Sequence, residues 1–172
     1  MPSQEQRAIS EGINMEKYRL KIKELPEAKK EIDRLKSENK KIVFTNGCFD
    51  ILHIGHTRYL YAAKELGDCL IVAVNSDRSV KSIKGPGRPV MNQAERTELL
   101  AAFQSVDMVV IFDEDNPLEV IRYLMPDILV KGGDWKEEDI IGSDVVKAAG
   151  GEVHRIPFVN GVSTTDIIKK IS

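Results

Sequence analysis

No stretch of this chain approaches the ~20 consecutive apolar residues that cross a bilayer, so no membrane-spanning segment is expected. The opening residues, MPSQEQRAISEG, lack the apolar core of a signal peptide. Cysteine is scarce: Cys48 and Cys69 are the only two in 172 residues. Two are too few for the disulfide framework of a secreted domain, and they read as free thiols in a reducing compartment. Neither charge dominates. The 25 Lys and Arg against 27 Asp and Glu leave a net charge of −2, with no bulk attraction toward nucleic acid or an anionic membrane surface. These absences point to a cytoplasmic protein without nucleic acid or membrane as a partner. Internal repeats are absent too.

What is present is ordinary for a folded domain, 42% hydrophobic and 30% charged, at a length suited to one domain with its own core. Residues 1–40 stand apart. They are dense in charge, with Leu25, Ala28, Ile32 and Leu35 near helical spacing and Pro26 suited to the first turn of a helix. They read as an N-terminal helical arm, residues 1–13 disordered, packed on a main domain over 41–172; a partner-binding helix is the alternative. From Lys41 onward strand-like and helix-like segments alternate. KIVFTN, CLIVAVN, DMVVIF, DILVKG and EVHRIPF are short β-rich runs, and GHTRYLYAAKELG, NQAERTELLAAF, PLEVIRYLM, SDVVKAAGG and STTDIIKKI are patterned as helices. Gly67 stops the first of these helices, and Asn92 with Glu95 makes a capping-box pattern at the start of the second. The strand runs are continuously apolar, which marks strands buried on both faces. The fold class is therefore α/β: a Rossmann-like open parallel sheet of about five strands with helices on both faces, plus the N-terminal arm. Ligands of such sheets lie beyond the carboxyl ends of the strands, near a switch in strand order.

Two of the three histidines fall at such a place. In TNGCFDILHIGH, residues 45–56, the strand ends at Asn46, GCFDIL is the loop that follows, and HIGH enters a helix. His53 and His56, three apart, share a face at a helix start. Gly55 between them allows close approach to the backbone. The free N–H groups and dipole of a helix N-terminus favour anions, and imidazoles donate to phosphate oxygens. That is a phosphate-handling site; a metal pair is the runner-up, short of a third ligand. Ser163 and Thr164 in GVSTTDIIKKI form a second anion-binding helix start with hydroxyls added. Lys84 and Arg88 lie in a Gly/Pro-rich stretch, IKGPGRPV, placed to close over polyphosphate. In LVKGGDW, Lys131 and Asp134 emerge on the same sheet edge, Gly132 permits close nucleotide contact, Asp134 could accept from a ribose or sugar hydroxyl, and Trp135 could stack. Asp50 could orient a substrate hydroxyl. Cys48 lacks a helper base and reads as a packing residue rather than a nucleophile.

GCFDILHIGH resembles the HxGH motif of the nucleotidyltransferase superfamily. GVSTTDIIKKI is similar to the STT segment of its cytidylyltransferase-like branch. Ile168 and Lys169 stand where the pantetheine-phosphate and nicotinamide adenylyltransferases carry an arginine, which argues against those branches. TNGCFDILHIGH, LVKGGDW, GGEVHRIPF and the STT segment together resemble the adenylyltransferases that make ADP-heptose from D-glycero-beta-D-manno-heptose 1-phosphate for bacterial lipopolysaccharide, over residues 36–172. Glycerol-phosphate cytidylyltransferases have an arginine where this chain reads PFVNG. With no kinase-sized region ahead of it, the chain resembles the monofunctional form. The resemblance implies a transfer of AMP from ATP to the sugar 1-phosphate, with His53, His56 and Lys84 catalytic. It implies nucleotide contacts from Asn46, Gly47, Cys48, Phe49, Gly55, Arg96, Lys131, Gly132, Asp134, Ser163 and Thr164. Substrate contacts would come from Asp50, Arg88 and Trp135. Mg²⁺ would enter with ATP rather than occupy an all-protein site, and a homo-oligomer is expected. The alternatives are a cytidylyltransferase for glycerol or another polyol phosphate, and a non-catalytic nucleotide-binding protein.

Overall fold

The computed structural model describes residues 17–133, 135–157 and 163–171. The expected disorder of residues 1–13, the role given to Asp134, and the PFVNG stretch beyond Pro157 lie outside them. Five strands, β1 (Ile42–Gly47), β2 (Cys69–Asn75), β3 (Met108–Phe112), β4 (Ile128–Gly132) and β5 (Glu152–Ile156), form one all-parallel sheet in the order β3-β2-β1-β4-β5. All seven residues of β2 are buried, as a strand covered on both faces requires. The alternation of side chains is strict. Ile42, Phe44, Ile71, Ala73, Met108, Val110 and Leu129 enter one core cluster; Val43, Leu70, Val72, Val74, Val109, Ile128 and Val130 enter the other.

Helices close both faces. The first face takes α1 (Leu25–Ser37), α5 (Leu118–Leu124) and α6 (Ser143–Ala148), through Ala28, Ile32, Val120, Ile121, Leu124 and Val146. The second takes α2 (Ile54–Lys64) and α4 (Gln93–Ala102), through Leu60, Ala63, Leu100 and Ala101. Two further helices, α3 (Asp77–Lys84) and α7 (Thr164–Ile171), follow β2 and β5. Pro26 sits in the first turn of α1, where a missing N–H costs nothing. The charged N-terminal segment is built into the core: Ala28 and Ile32 are fully buried among strand residues. A 3₁₀ turn, Lys17–Lys21, precedes α1 and clips it to the rest. The Lys23 N–H donates to the Val109 carbonyl at 2.9 Å, and Tyr18 and Arg19 both donate to the Glu98 carboxylate. The capping box read at Asn92 and Glu95 is present, with reciprocal bonds of 3.0 and 3.1 Å.

One helix differs from the sequence reading. Lys84 is the last residue of α3, not part of a loop. The start signal is Ser76, whose hydroxyl accepts from the Ser79 N–H at 3.1 Å, with Asp77 in the first turn. Its eight residues are short and polar, so the period is hard to see in sequence.

Candidate active site

The chain switches direction in the sheet between β1 and β4. Their ladder pairs only Val43 with Ile128 and Phe44 with Leu129, so the carboxyl ends of the two strands stand apart. Tyr59 of α2 enters this gap: its hydroxyl is 2.7 Å from Thr45 Oγ1 and donates to the Val130 carbonyl at 3.2 Å. Burial pushes the Tyr59 phenol up to about 12, against the pull of Thr45, so it is a fixed neutral group. Beyond it opens a cavity of about 770 Å³, within the range that holds a small-molecule ligand.

His53 and His56 form the floor of this cavity and cap α2 reciprocally. His53 Nδ1 accepts from the Gly55 N–H at 3.1 Å, and His56 Nδ1 accepts from the His53 N–H at 3.3 Å. The rings lie 4.0 Å apart, centroid to centroid. Burial lowers both basicities. His56, which also feels the neighbouring imidazole, falls to about 4. Both rings are therefore neutral near pH 7. A neutral ring whose Nδ1 accepts carries its proton on Nε2, so each presents one N–H donor that its own helix start does not use. Gly55 is needed here for a more local reason than ligand approach: a Cβ would lie 2.8 Å from His53 Cε1 and 2.9 Å from Nδ1. Phe49, held at φ 48°, packs its ring 5.5 Å from His56, and a Cβ on Gly47 would press on Phe49.

Around this floor the structure brings together Asn46, Gly47, Cys48 and Phe49 from the end of β1, Lys131 and Gly132 from β4, Trp135 after it, and Ser163 and Thr164 at the start of α7. Burial lowers the Lys131 ammonium, with Lys84 adding to it and Cys48 opposing. The two α7 hydroxyls are already engaged. Ser163 Oγ pairs with Asp166, and Thr164 Oγ1 donates to the Ile51 carbonyl at 3.0 Å, tying α7 to the histidine loop. Burial raises the Cys48 thiol despite the nearby cations Lys84, Arg96 and Arg88, so it is a thiol and not a thiolate.

Four expected residues stand outside this lining. Asp50 is 2% exposed and accepts from Arg88 Nε at 2.5 Å and from the Val90 and Met91 N–H groups. Burial raises its carboxyl, but these hydrogen bonds outweigh burial and hold it below its usual value. Asp50 and Arg88 thus satisfy each other and pin the 85–92 segment to the histidine loop. The Arg96 guanidinium is fully buried and donates to the Cys48 and Met91 carbonyls and to Asp77, at 2.6, 3.1 and 2.8 Å. It reaches the cavity only through the loop it holds. Lys84 is exposed at the end of α3, close enough to Cys48 and Lys131 to affect both. The structure adds Arg58, Tyr59, Ala62, Ile156, Pro157 and Asp166 to the lining. Gly55, Arg58, Tyr59 and Ala62 follow the i, i+3, i+4, i+7 spacing of one helix face, a signal available in the sequence once the helix is placed.

A parallel sheet split at its switch point, with an HxGH pair capping the helix beneath the split, defines a domain of the nucleotidyltransferase class. The chain belongs to the cytidylyltransferase-like family, whose model matches residues 44–170. It is 53% identical over 151 residues, 88% of its length, to the bifunctional protein HldE of Geobacter metallireducens. It is 58% identical over 137 residues, 80% of its length, to the bifunctional protein HldE of Campylobacter jejuni subsp. jejuni. It spans only 31% and 29% of those two relatives. A lipopolysaccharide core biosynthesis protein from Thermoplasma volcanium superposes with a TM-score of 0.58 at 28% identity, covering 70% of this chain and 97% of that one. The pantoate-beta-alanine ligase of Francisella tularensis, at 14% identity and a TM-score of 0.58 over 86% of this chain and 75% of that one, shares the fold alone. Among the described residues no helix is long and apolar enough to cross a membrane.

Proposed function

We propose that the chain transfers AMP from ATP to a sugar 1-phosphate, D-glycero-beta-D-manno-heptose 1-phosphate, releasing pyrophosphate and forming ADP-heptose for lipopolysaccharide synthesis. The observation that carries this reading is the pair of neutral imidazoles with Nδ1 occupied and Nε2–H unused, on the floor of the cavity at the β1/β4 split. An oxygen of the sugar phosphate attacks the α-phosphorus in line. The bond to the bridging oxygen breaks, and its electron pair leaves with pyrophosphate. His53 and His56 donate to triphosphate oxygens and hold the charge that builds in the transition state. The Lys131 and Arg58 side chains have no hydrogen bond or ion pair among the described residues and meet the anionic substrates. Lys84 draws on the departing pyrophosphate. The N–H groups at the start of α7 face phosphate, and Asn46, Gly47, Cys48, Phe49 and Gly132 form the nucleotide floor. Arg96 and the Asp50–Arg88 pair position that floor from behind.

No three His, Cys, Asp or Glu side chains among the described residues stand together as metal ligands; Mg²⁺ fits this site as the companion of the triphosphate, held by phosphate oxygens and water. Bound there, it would neutralise charge on the phosphates. Pyrophosphate release measured over ATP and CTP against heptose 1-phosphate and glycerol 3-phosphate tests the reading. Turnover is expected with ATP and heptose 1-phosphate. A higher kcat/KM with CTP would overturn the adenylyl assignment, and turnover with glycerol 3-phosphate alone would overturn the sugar.

A further inference from the structure

A second, smaller cavity opens beside the first. It encloses about 110 Å³ and shares Asn46, Lys131 and Trp135 with the main chamber. Its further walls include Pro117 at the start of α5, Asp139 at the end of a 3₁₀ turn (Glu137–Asp139), and Ile141. Chambers for a whole small ligand run to about 300–1,000 Å³. This one is too small to act alone, and its shared wall makes it an annex for part of a ligand seated mainly next door.

Its chemistry is that of a polyol site. The side chains of Asn46, Lys131 and Asp139 make no hydrogen bond or ion pair among the described residues. An amide, an ammonium and a carboxylate, carried by three separate elements, therefore converge with their hydrogen-bonding capacity unspent. Beside them, Trp135 and Ile141 are each 48% exposed, apolar surface left open at the rim. The Trp135 backbone is held from β5, where Arg155 donates to its carbonyl at 3.0 Å. A flat apolar face next to a carboxylate and an amide fits a chain of hydroxylated carbons, whose C–H faces pack on the indole while the hydroxyls bond outward.

We propose that this annex receives the hydroxylated tail of the sugar acceptor, at the end remote from its 1-phosphate. Asp139 takes the hydroxyls, with Asn46 on the wall shared with the nucleotide floor, Trp135 and Ile141 cover the C–H faces, and Lys131, common to both chambers, meets the acceptor phosphate. The inference rests on the acceptor reading above and adds a basis for selecting a seven-carbon sugar over a six-carbon one.

The experiment is steady-state kinetics with ATP and two acceptors: heptose 1-phosphate, and mannose 1-phosphate, which has the same ring without the seventh carbon. Wild type, Asp139→Ala, Asp139→Asn and Ile141→Trp are compared, each checked for an unchanged melting transition. Asp139→Ala is expected to raise KM for heptose 1-phosphate about 10-fold, the scale of one lost hydrogen bond to a charged group. KM for ATP and for mannose 1-phosphate should stay within about twofold. Ile141→Trp, which fills the annex, should lower the heptose preference in the same direction, and Asp139→Asn should lie between. If heptose and mannose acceptors weaken equally, if neither changes, or if the ATP KM moves instead, the annex does not hold the tail. If wild type turns over ATP with neither sugar, the acceptor reading itself falls and takes this inference with it; a wild type active with heptose 1-phosphate but indifferent to Asp139 sinks the annex alone.

Discussion

Burial and a neighbouring imidazole hold His56 at about 4, and this one value organises the residue scale. In the proposed reaction the histidine meets the triphosphate as a neutral donor, and positive charge would develop only once phosphate surrounds it. His56→Ala should therefore lower kcat by roughly 10²–10³-fold, the cost of one preorganised donor, with ATP affinity little changed. Single-turnover rates beside calorimetric ATP binding check this, and an unchanged kcat with a raised KM would mean uniform binding instead. His56→Asn should recover part of the rate, since a neutral amide can donate as the imidazole does. The same residue predicts a pH effect on the free protein. Unfolded, His56 titrates near its ordinary value of about 6.5; folded, it does so at about 4. Between those values the unfolded chain binds the extra proton. The contribution is thus full above about pH 6.5 and is lost as pH falls toward 4. Denaturant midpoints across that range should fall less steeply in His56→Asn than in wild type, and equal slopes would show that His56 is not the depressed group.

Among the elements, α1 is the least obvious contributor. Its sequence is mostly charge, yet Ile32 has no exposed surface and packs in the cluster that holds Phe44, Ile71 and Leu129. Ile32→Ala should cost about 2–5 kcal/mol, the range for a fully buried aliphatic truncated to Ala. Leu20→Ala, in the 3₁₀ turn and 69% exposed, should change stability by less than about 0.5 kcal/mol. Chemical denaturation of both variants checks the contrast; if Ile32→Ala were as mild as Leu20→Ala, α1 would be an appendage rather than part of the core. The short connecting segments matter in a different way. Arg96 joins the loop after β1, the start of α3 and the segment before α4 through three bonds, so the histidine loop is held by a fully buried side chain outside the cavity lining.

For the whole molecule, the sheet order places the split between β1 and β4 at the centre, with the helices that carry the histidines and the STT segment on either side of one cavity. A ligand bridging those elements should stabilise the protein globally. ATP at 100 times its Kd adds about 2.7 kcal/mol, which for a chain of this size raises Tm by about 5–11 °C. CTP at the same concentration should give a smaller shift in differential scanning. A larger shift with CTP would show that the adenine preference inferred from the PFVNG stretch is mistaken.

The amino-acid sequence was enough to determine the α/β class, the parallel sheet, the place of each strand and the helix start that holds HIGH, because buried strands and capped helices leave local patterns in composition and spacing. It also carried the family resemblance, which depends on residue identity alone. The protonation of the histidines was decided by tertiary structure, because the burial that lowers both basicities exists only once the cavity has folded around them. So were the hydrogen-bond partners of Asp50, Arg88 and Arg96. A charged side chain in sequence reads as a ligand contact or a solvated surface, and only the fold shows that these three find protein partners 19–48 residues away. The annex is wholly tertiary: Asn46 of β1, Lys131 of β4 and Asp139 of the 3₁₀ turn reach one cavity from places far apart in the chain, a meeting that no local pattern records.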